Sequence, residues 1–166
     1  MEERIMYHTQ ECRATRMTWP AYCESNMAWL GDGYYFWYEE VDAVHWGRKS
    51  KKRRDKFEVY KSNIDCSKVL DTVFDEESYL FWKRQIEKAA KAIMKITMVK
   101  PSLKELNQYI KEKASWKDDM DGIMFADLPF SEDLLVEEYN YRKRIQLAVY
   151  KKEAIKSFEF MYDMGR

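Results

Sequence analysis

The sequence predicts a fold of the α+β class. Strand patterns occur toward both ends of the chain and helical patterns cluster in its middle, which is the arrangement found in α+β proteins. The chain has 166 residues, enough for one core and few for two. A hydrophobic share of 46% excludes a disordered chain. We therefore expect a single domain that spans residues 1–166.

Alternating and aromatic-rich segments predict the strands of the sheet. The five clearest are "RIMYH" (4–8), "GYYFWY" (33–38), "DKFEVYKSNID" (55–65), "GIMFADL" (122–128) and "RIQLAVY" (144–150). The segment "AIKSFEFMY" (154–162) is a candidate to close the sheet. In the fifth strand, alternation predicts that Ile145, Leu147 and Val149 share one face and that Gln146 and Ala148 share the other.

Four helices are predicted. A short one covers residues 10–17, and irregular chain follows it over 17–26. A second covers residues 39–47, where Gly47 is expected to end it. A long one, at 75–98, carries a single apolar stripe at spacings of three and four residues. After Pro101, Ser102 and Glu105 have the spacing of a capping box and start a shorter helix.

Overall charge and cysteine content define the class of protein only broadly. Lys and Arg together number 29, as do Asp and Glu, so net charge indicates no partner. The three cysteines lack zinc-site spacing and are typical of reduced cytosolic thiols. No apolar stretch approaches the ~18 residues of a membrane span, and the N-terminus lacks a secretory apolar region. The expected location is the cytoplasm, without membrane or metal as partner.

Two segments near the start of the chain could hold a ligand. In "YHTQ", His8 ends a strand, and Thr9 and Gln10 follow it with hydrogen-bonding side chains. A histidine satisfied by its neighbours is the plainer alternative. In "WLGDGYYFWYEE" (29–40), glycines permit positive φ, and alternation puts Tyr34 and Tyr35 on opposite faces. One of these tyrosines can therefore face a cavity, although packing in the core explains both equally well.

A basic run and a polar strand residue are the other candidates. Seven of the nine residues in "RKSKKRRDK" (48–56) are Lys or Arg, which favours phosphate binding or, alternatively, a solvated loop. The candidate nucleic-acid contacts are Arg48, Lys49, Lys51, Lys52, Arg53, Arg54, Arg142 and Arg144. Gln146, next to the small Ala148 on its face, lies either at a pocket or on an exposed face of the sheet.

The order and spacing of these features resemble the ADP-ribosyltransferase superfamily. The features are the strand-end His8, the "GDGYYFW" strand, a helix with Ala43 and Trp46, and a late strand with a polar residue four before Tyr150. The likeness covers residues 4–157 and is to the His-Tyr-Glu branch of diphtheria toxin and the poly-ADP-ribose polymerases. It implies mixed or antiparallel sheets in a split core with flanking helices. It also implies NAD as a substrate, with nicotinamide as the leaving group.

The resemblance assigns roles residue by residue. The His-Gly-Ser/Thr motif of the family matches His8-Thr9-Gln10, so His8 would bind a ribose of NAD and the backbone of Thr9 the nicotinamide amide. The "G-x-G-x-Tyr-Phe" motif includes Gly33 and matches Tyr35 to the tyrosine that stacks on nicotinamide. The second aromatic of that sandwich is either Tyr22 or Trp29.

The resemblance departs from the family at the catalytic glutamate, where this chain has Gln146. An amide can hydrogen-bond the ribose hydroxyl, but it neither neutralises an oxocarbenium-like charge nor accepts a proton. Another acid then supplies charge, or the reaction needs less help, or transferase activity is lost. The acids just upstream are Asp127, Glu132, Asp133, Glu137 and Glu138, and the sequence does not choose among them.

Within the superfamily, the chain is similar to small bacterial toxins, including an RNA-modifying toxin of toxin–antitoxin–chaperone systems for phage defence. This similarity implies RNA as the acceptor and an antitoxin protein as the partner. The basic run independently favours a nucleic acid, and aromatic side chains can stack unpaired bases. The alternatives are ADP-ribosylation of a protein target, and a non-catalytic nucleic-acid-binding module that keeps the fold.

Overall fold

The computed structural model describes residues 2–24, 28–50, 55–127 and 143–165. Three α-helices lie in this part of the chain: α1 (Glu40–Ser50), α2 (Glu76–Thr97) and α3 (Leu103–Lys113). Its eight strands are β1 (Glu3–Glu11), β2 (Tyr22–Cys23), β3 (Gly33–Trp37), β4 (Lys56–Asp65), β5 (Val69–Asp71), β6 (Gly122–Asp127), β7 (Arg144–Val149) and β8 (Glu159–Gly165). The predicted α+β class is therefore confirmed.

The strands form one mixed sheet in the order β5-β6-β7-β3-β1-β4-β8, and β2 pairs with β3 beside this path. The β5–β6 pair is parallel, whereas the other described pairs are antiparallel. All five clear strand predictions correspond to strands of the sheet, and β8 lies partly within the sixth segment. Strands distant in sequence thereby become neighbours: β7, β3 and β1 lie side by side at the centre.

The helix predicted at 10–17 is wrong, because β1 continues through Gln10 and Glu11. These two residues pair with Glu58 and Phe57 of β4, so the ladder with β4 sets the length of β1. The residues that follow, up to 21, form turns and irregular chain. The segment predicted as irregular contains β2, which pairs with Tyr34 and Gly33.

Gly47 was predicted to end its helix, but it lies inside α1. A Cβ atom there would lie 2.4 Å from Cδ2 of the fully buried Phe57, so glycine allows the helix to approach the sheet closely. The other two helices follow their predicted signals. Asp75 caps the start of α2, and Ser102 and Glu105 form the predicted capping box of α3.

Both faces of the sheet are covered. One face, which we call the core face, carries Phe36, Leu147 and Val149 in a cluster completed by Met6 and Met124. The other, the helix face, packs on α1 around Trp37 and on α2 around Ala148, and α3 packs in turn on α2. The two faces of β7 thus divide as alternation predicts, and Phe36 lies on the core face as expected.

The weakest junction of the sheet lies between β1 and β3. Their ladder has one registered pair, Tyr7 with Trp37, whereas β1 pairs with β4 along all nine of its residues. Toward the start of β3, the edge that faces β1 at Trp37 pairs instead with β2, through Gly33 and Tyr34. The two central strands therefore part after Tyr7, and we call this divergence the fork. The described strands still form one connected sheet rather than two separate ones.

Candidate functional site

His8 lies at the fork. Its Nδ1 atom is 2.8 Å from the carbonyl oxygen of Tyr35, and its Nε2 atom is 3.0 Å from Oε1 of Gln10. The imidazole is 7% exposed, and its centroid is 5.6 Å from that of Phe36 and 5.7 Å from that of Phe158. The ring thus occupies the gap that opens when the β1–β3 ladder ends.

The contacts of His8 hold its ring plane in either protonation state. A neutral ring that donates from Nδ1 to the Tyr35 carbonyl is an acceptor at Nε2. The Gln10 amide must then be turned over, so that its nitrogen rather than Oε1 faces the ring. A protonated ring donates to both oxygens. In each case Tyr35 and Gln10 fix the ring plane, as a histidine that must orient a substrate requires.

The strand around His8 offers both backbone and side-chain groups. Thr9 points to the helix face, where its hydroxyl donates a 2.5 Å hydrogen bond to the carbonyl of Ala43 in α1. Gln10 returns to the face of His8 and is buried. Within the described ranges, no strand pairs with β1 on its β3 side beyond Tyr7. The backbone of Thr9 therefore lies beside the fork, next to the end of the β1–β3 ladder.

Gln146 lies on the helix face in an aromatic site. Its Oε1 accepts a 2.6 Å hydrogen bond from Nε1 of Trp29, and the ladder places it between Trp37 and Phe125. The Phe125 ring also contacts Trp29 at 5.4 Å and Trp82 at 4.6 Å between centroids. Gln146 is 7% exposed, so the structure excludes the exposed-face alternative.

Tyr35 supports this aromatic site from the neighbouring strand. Its hydroxyl donates to the carbonyl of Gly31 at 2.8 Å and accepts from the N–H of Leu30 at 2.9 Å. Gly31 has φ of 96°, a value that favours glycine, so the turn and the phenol are built together. Burial raises the pKa of Tyr35 well above its usual value, and the group is a neutral phenol. Tyr35 thereby fixes the turn that carries Trp29.

The three residues matched to the family's catalytic set lie on three adjacent strands: His8 on β1, Tyr35 on β3 and Gln146 on β7. Their side chains do not all share a face. Tyr35 packs with Ala148 on the helix face, whereas His8 contacts Phe36 on the core face. The imidazole reaches Tyr35 through its backbone carbonyl, at the point where the fork separates β1 from β3.

The two candidates for a second stacking aromatic lie on different faces. Trp29 is bonded to Gln146, whereas Tyr22 is 46% exposed and packs edge-on against Tyr34. Trp29 is thus the aromatic that shares a site with Tyr35 and Gln146. Packing alone explains the glycine at position 33, because a Cβ atom there would lie 2.6 Å from the carbonyl oxygen of Val149 in β7.

The basic candidates are only partly described. Arg48 and Lys49 are exposed in the last turn of α1. The Arg144 guanidinium lies 5.4 Å from the Trp37 ring, which contacts Trp46 of α1 at 5.7 Å. Outside the described residues lie Lys51, Lys52, Arg53, Arg54 and Arg142, and the acids Glu132, Asp133, Glu137 and Glu138. Asp127 pairs with Arg144 in the β6–β7 ladder.

Sequence reasoning missed a polar group on the face of His8. Glu58 pairs with Gln10 across the β1–β4 ladder and is 4% exposed. Its carboxylate accepts a hydrogen bond from the hydroxyl of Tyr60, and Nε of Arg16 lies 3.8 Å from it. Alternation in β4 predicts that Glu58 and Tyr60 share a face, but only the register with β1 shows that they meet His8 and Gln10.

The comparisons with known proteins add no assignment. Neither the protein-family models, nor the curated proteins, nor the solved structures contain a match to the chain. Across the described ranges, no cluster of His, Cys, Asp and Glu is suited to holding a metal ion. None of the described helices combines the length and the apolarity needed to cross a membrane.

Proposed function

We propose that this chain is an NAD-dependent ADP-ribosyltransferase that modifies nucleic acid, with RNA as the acceptor. The observation that carries the proposal is that His8, Tyr35 and Gln146 lie on three adjacent central strands. These residues are separated by 27 and 111 positions in sequence, yet β1, β3 and β7 run side by side, with His8 on the core face and the other two side chains on the helix face. The resemblance in the sequence concerns the same three positions.

In the proposed reaction, the bond between the nicotinamide nitrogen and C1′ of the ribose breaks. Nicotinamide leaves with the bonding electron pair, and an acceptor oxygen or nitrogen forms the new bond to C1′ while its proton passes to a base. The backbone of Thr9 can pair with the nicotinamide amide, and aromatic rings such as Trp29 can stack on its ring. Because nicotinamide is an activated leaving group, positioning of this kind supplies most of the lowering of the reaction barrier.

Gln146 holds the ribose hydroxyl in this proposal but provides no charge. Of the acids in the described residues, Glu58 is the buried one on the face of His8, through Gln10. It is our candidate for the missing carboxylate because it lies beside the polar group of His8 and Gln10, on the core face and so across the sheet from Gln146. Its hydrogen bond from Tyr60 fixes its orientation.

Local charge supports a nucleic acid as the acceptor in this proposal. The basic end of α1 and Arg144 beside Trp37 suit a phosphate backbone near aromatic rings. The resemblance to bacterial toxins supports the further proposal that the protein is a cytoplasmic toxin restrained by an antitoxin protein. A protein acceptor is the nearest alternative, and the test below distinguishes the two.

The test is incubation with NAD labelled in its adenylate moiety, together with RNA, DNA and lysate proteins. We expect label on RNA that survives protease and is removed by RNase, with nicotinamide released in equal amount. His8→Ala and Glu58→Gln should abolish labelling, whereas Lys88→Ala on the exposed side of α2 should not. Folded wild-type protein that labels none of the three acceptors would overturn the proposal.

A non-catalytic nucleic-acid-binding module is the second candidate, favoured by one observation. The Oε1 atom of Gln146, at the position matched to the catalytic glutamate, is already bonded to Trp29. RNA binding that is indifferent to NAD, without nicotinamide release, would establish this alternative. Gln146→Glu separates the two as well, since an active enzyme should gain activity from the carboxylate and a binding module should not.

A further inference from the structure

A second site lies between α2, α3 and the helix face of the sheet, and it does not depend on the proposed transferase activity. Here a cavity of about 80 Å³ is bounded by three indoles and a phenol, those of Trp29, Trp82, Trp116 and Tyr150. Aliphatic side chains of α2, α3 and β6 complete its walls. The cavity shares Trp29 and Trp82 with the aromatic site of Gln146, but Gln146 itself does not line it.

Two hydrogen-bond donors, on Lys117 and Trp116, belong to residues that line the cavity. Lys117 lies with Nζ 4.5 Å from the Tyr150 ring centroid, and none of the described carboxylates forms an ion pair with it. Trp116 buries its Nε1–H without an acceptor in the described part of the chain. The amide nitrogen of Asn107 is occupied, because it donates to the carbonyl of Trp29 at 2.5 Å.

A partly buried cation and an unsatisfied donor are both costly unless something pairs with them. Burial lowers the pKa of Lys117 and the nearby Lys111 lowers it further, against an opposing effect of Asp32 and Asp118. An anion bound beside Lys117 would offset both effects, since charges attract more strongly in a site of low dielectric. Aromatic and aliphatic walls meanwhile require that the rest of the ligand be apolar.

We propose that this cavity binds a small monocarboxylate with an apolar body, its carboxylate directed to Lys117 and Trp116. The volume limits the size of the ligand. One water needs about 10–15 Å³ of such space, so about 80 Å³ accommodates roughly five to eight non-hydrogen atoms. A short branched-chain acid has this size, whereas a nucleotide does not.

The test uses 3-methylbutanoate and its neutral isostere 3-methylbutanamide as probes. The protein carries ¹⁵N in its six tryptophans, and Trp116→Phe assigns the indole signal of Trp116. We expect 3-methylbutanoate to shift that signal saturably and the amide to bind about tenfold or more weakly, as the loss of a charged hydrogen bond implies. Lys117→Met, which keeps an apolar stem, should weaken 3-methylbutanoate binding similarly, whereas Lys88→Met on the exposed side of α2 should not.

Three results would overturn the proposal. The first is no saturable shift by either probe, which would mean that the cavity holds water only. The second is equal affinity for acid and amide, and the third is unchanged binding in folded Lys117→Met. If Lys117→Met fails to fold, the acid–amide comparison in the wild-type protein decides alone. None of these results bears on ADP-ribose transfer, so the two proposals can fail separately.

Discussion

Nδ1 of His8 lies 2.8 Å from the carbonyl oxygen of Tyr35, at the place where β1 and β3 stop pairing. The imidazole thus replaces a ladder hydrogen bond, and its other nitrogen stays with Gln10. The two nitrogens of His8 therefore have separate roles. Nδ1 has a structural role at the fork, and Nε2 contacts Gln10, which pairs with Glu58. Substitutions that keep one nitrogen and lose the other can measure each task.

His8→Asn should keep the structural task and lose the chemical one. The asparagine amide can occupy the position of Nδ1 and donate to the Tyr35 carbonyl, but it has no atom at Nε2. His8→Ala leaves that carbonyl unpaired in a buried site, at a cost of about 1–3 kcal/mol in the free energy of unfolding. In urea unfolding, the wild type should therefore be the most stable protein, His8→Asn the next and His8→Ala the least stable. Nicotinamide release should be lost in both variants, and equal stability of the two would contradict the role given to Nδ1.

The Trp29–Gln146 hydrogen bond should appear as an energetic coupling. Trp29→Phe keeps an aromatic ring but leaves Oε1 of Gln146 buried without its donor, and Gln146→Leu does the reverse. Each single change should destabilise by about 1–3 kcal/mol, and the double variant by less than the sum, with a coupling of about 1 kcal/mol. Ser157→Ala, on the β4–β8 side, is the control and should be additive with Trp29→Phe. Additivity within the Trp29–Gln146 pair would show that the bond contributes nothing to stability.

Local patterns in the sequence predicted most of the elements, because alternation and capping signals act over a few residues. The two faces of β7 and the capping box at Ser102 are examples. Features that depend on a distant partner were not accessible in this way. The helix predicted at 10–17 begins with two residues, Gln10 and Glu11, that the ladder with β4 holds in β1. Gly47 was interpreted as a helix stop, since its contact with Phe57 of another element is not visible in the local sequence.

The candidate site shows the same division. Single residues such as His8 and Gln146 could be selected from the sequence, since polar groups in apolar strands are conspicuous. Their partners could not, because Trp29 is 117 positions from Gln146 and Glu58 meets Gln10 only through strand register. The face of each side chain relative to the fork also depends on where the β1–β3 ladder stops.

Gly47→Ala should destabilise the protein although it improves helix propensity. In an exposed helix the change gains about 1 kcal/mol. Here the new Cβ would lie 2.4 Å from the Phe57 ring, inside the core, so we expect a net loss of about 1–3 kcal/mol in urea unfolding. Combining it with Phe57→Leu, which removes part of the ring, should make Gly47→Ala less costly than it is alone. A stabilised single variant would show that α1 does not pack this closely.

Asp75 should contribute to stability in a pH-dependent manner. The hydroxyl of Ser78, followed by the backbone N–H groups of Glu77 and Ser78, lowers the pKa of this carboxyl below its usual 3.8. Because the pKa is lower in the folded state, the contribution is present above about pH 4 and is lost as the pH falls through the folded value. Asp75→Asn should thus be less stable than wild type at pH 7, and the difference should shrink toward pH 2. A pH-independent difference would contradict this assignment, and Asp119→Asn controls for the change in charge.

RNA binding should depend on the basic end of α1. Arg48 and Lys49 are exposed there, and each phosphate neutralised on a single strand adds about 0.7 to the slope of log K against log salt. Arg48→Ala/Lys49→Ala should therefore weaken binding to single-stranded RNA and lower that slope by about 1.4. The control, Lys88→Ala/Lys91→Ala on exposed positions of α2, removes the same charge and should leave the slope unchanged. Equal losses in both variants would attribute the effect to net charge, and no loss in the first would remove α1 from the RNA interface.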